Sequence, residues 1–164
     1  MITEILNSKK VAIVSKWIDL IFNSFPEEAG NFLKLKKNQF SNPIGHTITT
    51  NAEKIFEELI NQRNIETIDL LLDDILKISA VQSFSPSQAV TFLFDLKKII
   101  RNELKVELME KTNSDELINF ELFIDQVVLH AFDLYMMSRE KVFKIRVNEL
   151  KFKSYKAVET NEDL

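Results

Sequence analysis

The sequence predicts an all-α fold: a bundle of six or seven helices whose last helix is long. Two observations support this prediction. Apolar residues recur at steps of three and four along most of the chain, which is the period of a helix with one buried face. Serine or asparagine stands one or two positions before each of the three prolines, a combination typical of helix starts.

The length and composition indicate one globular unit. A chain of 164 residues, 45% hydrophobic and 28% charged, fits a single domain. We expect that domain over residues 1–156, followed by a flexible acidic tail over residues 157–164. Two glycines, Gly30 and Gly45, are too few for a phosphate-binding loop. The absence of cysteine excludes disulfides and thiolate metal sites.

The chain opens with a short turn over residues 2–6 and then a helix. The apolar face of this helix is Val11, Val14, Trp17, Ile18, Ile21, Phe22 and Phe25. Ser24, Pro26 and Glu27 form a predicted capping box that starts the next helix. That helix is expected to turn Ala29, Phe32 and Leu33 inward.

Asparagines are predicted to cap the two helices that follow. Asn42 stands before Pro43, and the stripe behind them is Ile44, Ile48, Ala52, Ile55, Phe56, Leu59 and Ile60. Asn64 precedes a helix with Ile65, Ile68, Leu71, Leu72, Ile75 and Leu76 on one face.

Ser85, Pro86 and Gln88 repeat the capping-box pattern. The helix that they start carries Leu93, Leu96, Ile100, Leu104 and Leu108. After residues 112–114 the last helix has its stripe at Leu117, Phe120, Ile124, Val127, Val128, Ala131, Leu134 and Tyr135, and we expect it to continue past Leu150.

The last helix is predicted to be longer than the domain is wide. Over residues 115–156 it would measure about 63 Å, so its end must project or pair with another chain. Phe143, Ile145 and Val147 alternate with basic residues, which also fits a strand within residues 143–152. We favour a helix, because an isolated strand would have no partner.

The sequence predicts no catalytic, cofactor-binding or metal-binding residue. His46 and His130 lack the spacing of paired metal ligands. We interpret His130 as a core or interface histidine with one ring nitrogen satisfied, and His46 as a solvent-facing or capping residue. Asp69, Asp73 and Asp74 lie opposite a leucine stripe, which is typical of a solvated face.

The end of the chain is basic although the whole chain carries a net charge of −4. Seven basic residues stand there against Glu140 and Glu149, giving a local charge of +5: Arg139, Lys141, Lys144, Arg146, Lys151, Lys153 and Lys156. Apolar residues are spread around this helix, which argues against membrane insertion, and no motif indicates specific nucleic-acid binding. A partner or dimer surface is the interpretation that we favour.

We predict a homodimer through the last helix and a further protein partner of unknown identity. The apolar surface expected at the dimer contact is Val127, Phe132, Tyr135, Met136, Val142 and Phe143. The thirteen phenylalanines could line a pocket for a small apolar ligand, although core packing is their commoner use. No secretion signal or membrane-length apolar run is visible, so a cytoplasmic location is expected.

Several motifs resemble one bacterial family. They are Phe40-Ser41-Asn42-Pro43-Ile44-Gly45, Trp17 before it, and Ser85-Pro86-Ser87-Gln88-Ala89-Val90 and Leu96-Lys97-Lys98 after it. With them, residues 6–153 resemble the N-terminal sensor domain of the RsbR-type RsbT co-antagonists of the stressosome. The resemblance implies a globin-like fold without haem, a homodimer, and a signal passed through the last helix into a STAS domain. The helix over residues 65–81 contains no histidine that could bind haem iron.

The sequence reaches Leu164 without a STAS domain. A fragment of a longer protein and a stand-alone chain both remain open. We therefore expect a non-catalytic, dimeric sensor that relays a ligand or partner signal through its last helix. The alternative is a structural adaptor without a ligand, which dimerises and recruits a partner. A ligand-dependent rise in thermal stability would distinguish them.

Overall fold

A computed structural model describes residues 2–35 and 40–162 of the chain, and the regular structure within them is entirely helical. The helices are α1 (Ile2–Ser8), α2 (Lys10–Asn23), α3 (Glu27–Leu35), α4 (Pro43–Asn61), α5 (Ile65–Val81), α6 (Pro86–Glu103) and α7 (Lys111–Glu162), with a 3₁₀ turn at Glu107–Met109 before α7. The predicted all-α class and the predicted number of helices are confirmed.

The helices form a bundle around a single apolar core. α2 packs on α3, α4 and α6, α5 lies between α4 and α7, and α6 contacts both α2 and α7. Trp17 is fully buried where α2 meets α6. Its indole Nε1 donates to the Phe92 carbonyl at 2.7 Å, and the two rings stack with centroids 5.9 Å apart. The N–H of this large side chain is therefore satisfied inside the core.

Asn42 starts α4 as predicted and also ties it to α3. Its Oδ1 accepts from the Gly45 amide at 2.9 Å, and its Nδ2 donates to the Leu33 carbonyl at 3.0 Å. A Cβ at Gly45 would lie 2.2 Å from the Asn42 side-chain nitrogen, so glycine leaves the space that this cap needs. Asn64 caps α5 in the same way, accepting from the Thr67 amide at 2.9 Å. Both predicted asparagine caps are confirmed.

The capping box at α6 is also confirmed. Ser85 Oγ accepts from the Gln88 amide at 3.3 Å, and Gln88 Oε1 accepts from the Ser85 amide at 2.9 Å. Replacing Ser85 with alanine should lower the free energy of unfolding by about 1 kcal/mol, because one helix-terminal N–H loses its partner. Denaturant titration measures this loss, and Ser85→Asp, which keeps an acceptor oxygen, should retain most of the stability. Equal midpoints for Ser85→Ala and the wild type would contradict the prediction.

The predicted capping box at Ser24 is wrong. Ser24 still has helical backbone angles at the end of α2, and its hydroxyl donates to the Ile21 carbonyl at 2.6 Å. α3 begins at Glu27, so Pro26 stands just before the helix and not at its first position. The hydroxyl of a serine bonds a preceding carbonyl as readily as a following amide, and here it finishes one helix without starting the next.

Three residues predicted to face the core are exposed. They are Val11, Phe32 and Ile44, with exposed fractions of 84%, 48% and 43%. Val11 and Ile44 are the second residues of α2 and α4, where a helix has not yet reached the core. α3 contacts α2 and α4 through its other side, on which Leu33 is buried and Ala29 is partly buried.

The boundary between α6 and α7 differs from the prediction. α6 ends at Glu103, so Leu104 follows it and Leu108 lies in the 3₁₀ turn. α7 begins at Lys111, ahead of the expected break. Asn113 is buried inside this first turn, and its Nδ2 donates to the Glu107 carbonyl at 3.0 Å. A residue type common in loops is thus accommodated in the helix because it bonds the turn before it.

α7 is longer than predicted, with 52 residues and a length of about 78 Å at the standard helical rise. Residues 143–152 are helical, so the strand alternative is wrong. The helix also covers residues 157–162 of the segment predicted as a tail, while residues 163 and 164 lie outside the described chain. The division of the chain at residue 156 stays a prediction.

Candidate functional site

α7 carries a series of residues, spaced by seven, that begins on the core side. We call it the inner series: Leu117, Ile124, Ala131, Ser138, Ile145 and Phe152. Its first four members are buried, each no more than 4% exposed. Ile145 and Phe152 are 59% and 62% exposed. A straight helix turns by about 20° over every seven residues, so this series winds slowly around α7, and its last two members are apolar side chains beyond the bundle.

A second series with the same spacing lies on the solvent side of α7. We call it the outer series: Leu122, Leu129, Met136, Phe143 and Leu150. All five side chains are exposed, from 44% at Met136 to 69% at Leu129. Each follows a member of the inner series by five positions, which places it on the opposite face of the helix. Apolar residues at intervals of seven are the pattern by which one helix packs along another.

The burial of two residues corrects the predicted dimer contact. Val127 and Tyr135 are fully buried in the core and cannot contact a second chain. Phe132, Met136 and Phe143 are exposed as the prediction requires, and Val142 is half-buried. The exposed leucines of the outer series were not predicted, although a search for steps of seven would have found them: Leu122, Leu129 and Leu150.

Three side chains anchor α7 where it leaves the bundle. The Tyr135 hydroxyl donates to the Phe84 carbonyl. The Arg139 guanidinium donates to the Ala80 carbonyl at 3.5 Å, and that of Arg146 to Ser83 Oγ at 3.4 Å. All three acceptors belong to the end of α5 or to the turn after it, where the helix dipole favours a cation. From residue 148 to residue 158 every side chain of α7 is exposed.

The buried phenol of Tyr135 makes stability depend on pH. Burial raises the pKa of Tyr135 above its usual 10.0, although the nearby charge of Arg139 opposes the shift. The unfolded chain therefore loses this proton at a lower pH than the folded protein. The stabilisation is complete below pH 10.0 and is lost as the pH rises through the folded-state value.

We therefore expect the wild type to lose its stability advantage over Tyr135→Phe as the pH rises above 10.0. Denaturant titrations at a series of pH values measure this difference. Tyr155→Phe removes the exposed tyrosine and serves as the control, since it should follow the wild-type curve. A difference between wild type and Tyr135→Phe that stays constant with pH would contradict the prediction.

The basic end of α7 presents most of its charge to solvent. Lys144 pairs with Glu140 at 3.1 Å along the helix. The Lys156 ammonium lies 5.0 Å from the centre of the Phe152 ring. No ion pair within the described residues involves Lys141, Lys151 or Lys153. This segment therefore offers positive charge and apolar side chains together.

A groove of about 630 Å³ lies between α2, α3 and α4. Its apolar wall consists of Val11, Val14, Ile18, Phe22 and Leu33, and its polar wall includes Lys10, Lys34, His46, Thr49 and Glu53. The size and mixed lining suit a small molecule. Of the thirteen phenylalanines, Phe22 is the one among its described lining residues, so phenylalanine packing did not indicate this groove. The groove depends on how α2, α3 and α4 pack against one another. The hydrophobic periodicity of a single helix does not predict such packing.

His130 and the aspartates of α5 make structural contacts, whereas His46 lines the groove. His130 is exposed and not in the core, but one ring nitrogen is satisfied as predicted, because its Nδ1 lies 2.9 Å from Asp69 Oδ2 across α5 and α7. His46 is half-buried beside the groove. Asp73 pairs with Lys77 at 2.5 Å. No group of three potential metal ligands occurs in the part of the chain that the structure describes.

None of the helices within residues 2–35 and 40–162 has both the length and the hydropathy that crossing a bilayer requires.

Comparison with known proteins identifies one family. The profile of the family described as "RsbT co-antagonist protein rsbRD N-terminal domain" matches residues 11–150. An uncharacterised protein of Archaeoglobus fulgidus is 27% identical over 101 residues, which cover 60% of this chain and 63% of the archaeal protein. The matched part therefore spans less than two thirds of that relative's length. No solved structure shows significant similarity.

Proposed function

Because this chain belongs to the family of RsbT co-antagonist RsbRD N-terminal domains, we propose that it is a non-catalytic signalling module that senses through its bundle and transmits through α7 as a homodimer. The family supplies the regulatory role, and its globin-like, all-α character agrees with the observed helices. Residues 1–156 would act as one sensor unit. Its downstream partner would be another protein.

The exposed outer series is the observation that carries this proposal. Five apolar side chains aligned along about 42 Å of one helix would remain in water in a monomer. A second copy placed by a twofold axis presents the same series and covers both at once. Phe132 and Ile118, also exposed, lie beside this series and widen the contact. The two α7 helices would then extend from the bundles as a pair.

The groove is the proposed sensing site, because packed helices connect it to α7. Its wall includes α4, which packs on α5, and α5 packs on α7. Asn51 of α4 donates to the Leu71 carbonyl at 3.0 Å and to Asp74 at 3.2 Å. On the far side of α5, Asp69 contacts His130 of α7. A molecule that moved α4 would therefore displace groups that hold α7.

A spin-label measurement tests the link between groove and helix. The chain has no cysteine, so Lys151→Cys places one label near the end of each α7, and pulsed dipolar spectroscopy reports the distance between two copies. Val11→Trp fills the groove from its rim, and Val106→Trp places the same side chain on an exposed site outside it. We expect a changed distance distribution for Val11→Trp and an unchanged one for Val106→Trp.

The possible results separate the alternatives. An absent dipolar signal in every variant would contradict the homodimer. A signal that is identical in all variants would keep the dimer but contradict sensing through the groove, which is the behaviour of a structural adaptor without a ligand. Thermal melts of both tryptophan variants, run in parallel, show whether each one is folded.

A further inference from the structure

The inner series leaves an apolar face of α7 uncovered beyond the bundle. We propose that this distal inner face, defined by Ile145, Phe152 and Tyr155, is a docking surface for an acidic amphipathic helix of a partner protein. The proposal goes beyond dimerisation, because the outer series lies on the opposite side of α7. The two faces would serve different partners.

Continuity with the core indicates that this face is built for packing against protein. The series that contains Ile145 and Phe152 is buried up to Ser138, which is 4% exposed. Seven residues later Ile145 is 59% exposed, and Tyr155 reaches 73%. A solvated helix would not need isoleucine, phenylalanine and tyrosine there. Large apolar side chains aligned on an exposed face usually mark an interaction site.

The spacing of these residues fits a helix as the occupant. From Ile145 to Tyr155 the face extends about 15 Å, or nearly three turns. Ridges of another helix fit between side chains spaced by three, four and seven positions. Closer to the start of α7, helices α5 and α6 pack on it. A partner helix on the distal inner face would therefore repeat a mode of packing that α7 already uses.

The charges around the face select an acidic partner. Lys141 and Lys156 stand one turn before Ile145 and one turn after Phe152. Lys144 and Lys151 border one side of the face, and Arg146 and Lys153 border the other. Glu149 lies on the face between Ile145 and Phe152, but it is the one acidic residue within the segment 141–156, against six basic residues. A partner helix with carboxylates beside its apolar stripe would meet positive charge on both sides.

The same charges argue against a second copy of this chain on the distal inner face. Two such faces would bring lysines against lysines, because the segment 139–156 carries a local charge of +5. A membrane fits poorly, because two α7 helices paired through the outer series would hold their distal inner faces pointing away from each other, and one flat surface could not contact both. Nucleic acid would use the lysines but leave Ile145 and Phe152 without an apolar contact.

Peptide binding to the full-length chain tests the proposal. The probe is a labelled synthetic helix with a leucine stripe flanked by glutamates, and its twin carries lysines in place of the glutamates. Fluorescence anisotropy should show binding of the glutamate peptide and none of the lysine peptide. The double variant Ile145→Ser with Phe152→Ser should weaken binding by at least about tenfold, which corresponds to about 1.4 kcal/mol.

A matched variant on the opposite face provides the control. Phe143→Ser with Leu150→Ser removes two apolar side chains from the outer series and should leave the peptide affinity nearly unchanged. Light scattering on the same samples reports dimerisation separately, so a failure of the proposed homodimer is distinguishable from a failure of this docking surface. Circular dichroism confirms that both double variants retain their helices.

Four results would overturn the proposal. The first is absence of binding by the glutamate peptide, and the second is equal binding of both peptides. The third is an equal loss of affinity in the two double variants. The fourth is preferential binding of phosphatidylglycerol vesicles or of duplex DNA that Ile145→Ser with Phe152→Ser abolishes, since this would assign the face to a membrane or to nucleic acid.

Discussion

Replacing Trp17 with alanine should lower the free energy of unfolding by about 3–5 kcal/mol. The indole is fully buried where α2 crosses α6 and stacks on Phe92. Truncation removes its apolar contacts and leaves a cavity that rigid neighbouring helices cannot fill. It also leaves the Phe92 carbonyl without the indole N–H that it accepts at 2.7 Å. Denaturant titration followed by circular dichroism measures the loss.

Two further variants separate the contributions of volume and hydrogen bonding. Trp17→Phe keeps an aromatic ring but removes the donor, and we expect a smaller loss. Phe94→Ala truncates an aromatic residue of α6 that is 44% exposed, and it should cost much less than Trp17→Ala. Similar losses for Trp17→Ala and Phe94→Ala would contradict the central position of Trp17. Phe56, also fully buried, should behave like Trp17.

Glutamates in the outer series should convert the homodimer to monomers. Leu129→Glu with Met136→Glu places charges at two positions of the outer series, where each would face its copy across the twofold axis. The cost is the lost apolar contact together with the burial of like charges. Light scattering at micromolar concentration should give twice 19.1 kDa for the wild type and 19.1 kDa for the double variant.

A control variant distinguishes loss of the outer-series contact from a general effect of added glutamates. Leu70→Glu with Val106→Glu makes the same change at two residues that are 74% and 72% exposed outside α7. This control should remain dimeric. A wild-type mass of 19.1 kDa, or a dimer that survives Leu129→Glu with Met136→Glu, would exclude the outer series as the dimer contact.

Features that depend on neighbours along the chain were predictable. Asn42, Asn64 and Ser85 cap helices through bonds to amides three residues ahead, and the sequence contains both partners. The same reasoning was wrong at Ser24, because a serine beside a proline can end one helix as well as start the next. Local patterns thus identify a helix boundary more surely than they identify the bond made there.

Features that depend on how helices meet were not predictable. The periodicity of α7 correctly placed Ile124 and Ala131 in the core. It also placed Tyr135 in the core stripe, which is correct, but the same residue was assigned to the dimer contact beside Met136, which faces outward. The groove beside His46 requires α2, α3 and α4 at particular distances from one another. Such arrangements are properties of tertiary packing, and the hydrophobic pattern of one helix does not predict them.

Because α7 is anchored at the end of α5, a small tilt at the anchor produces a large displacement at the far end of the helix. About 36 Å of α7 extends beyond Ser138 at the standard helical rise. With the Tyr135 and Arg139 contacts as a fulcrum, a tilt of about 5° would move the far end by about 3 Å, roughly two helical residues' rise. A change at the fulcrum too small to disturb the core would therefore appear at the far end of α7 as a displacement comparable to the length of a side-chain contact.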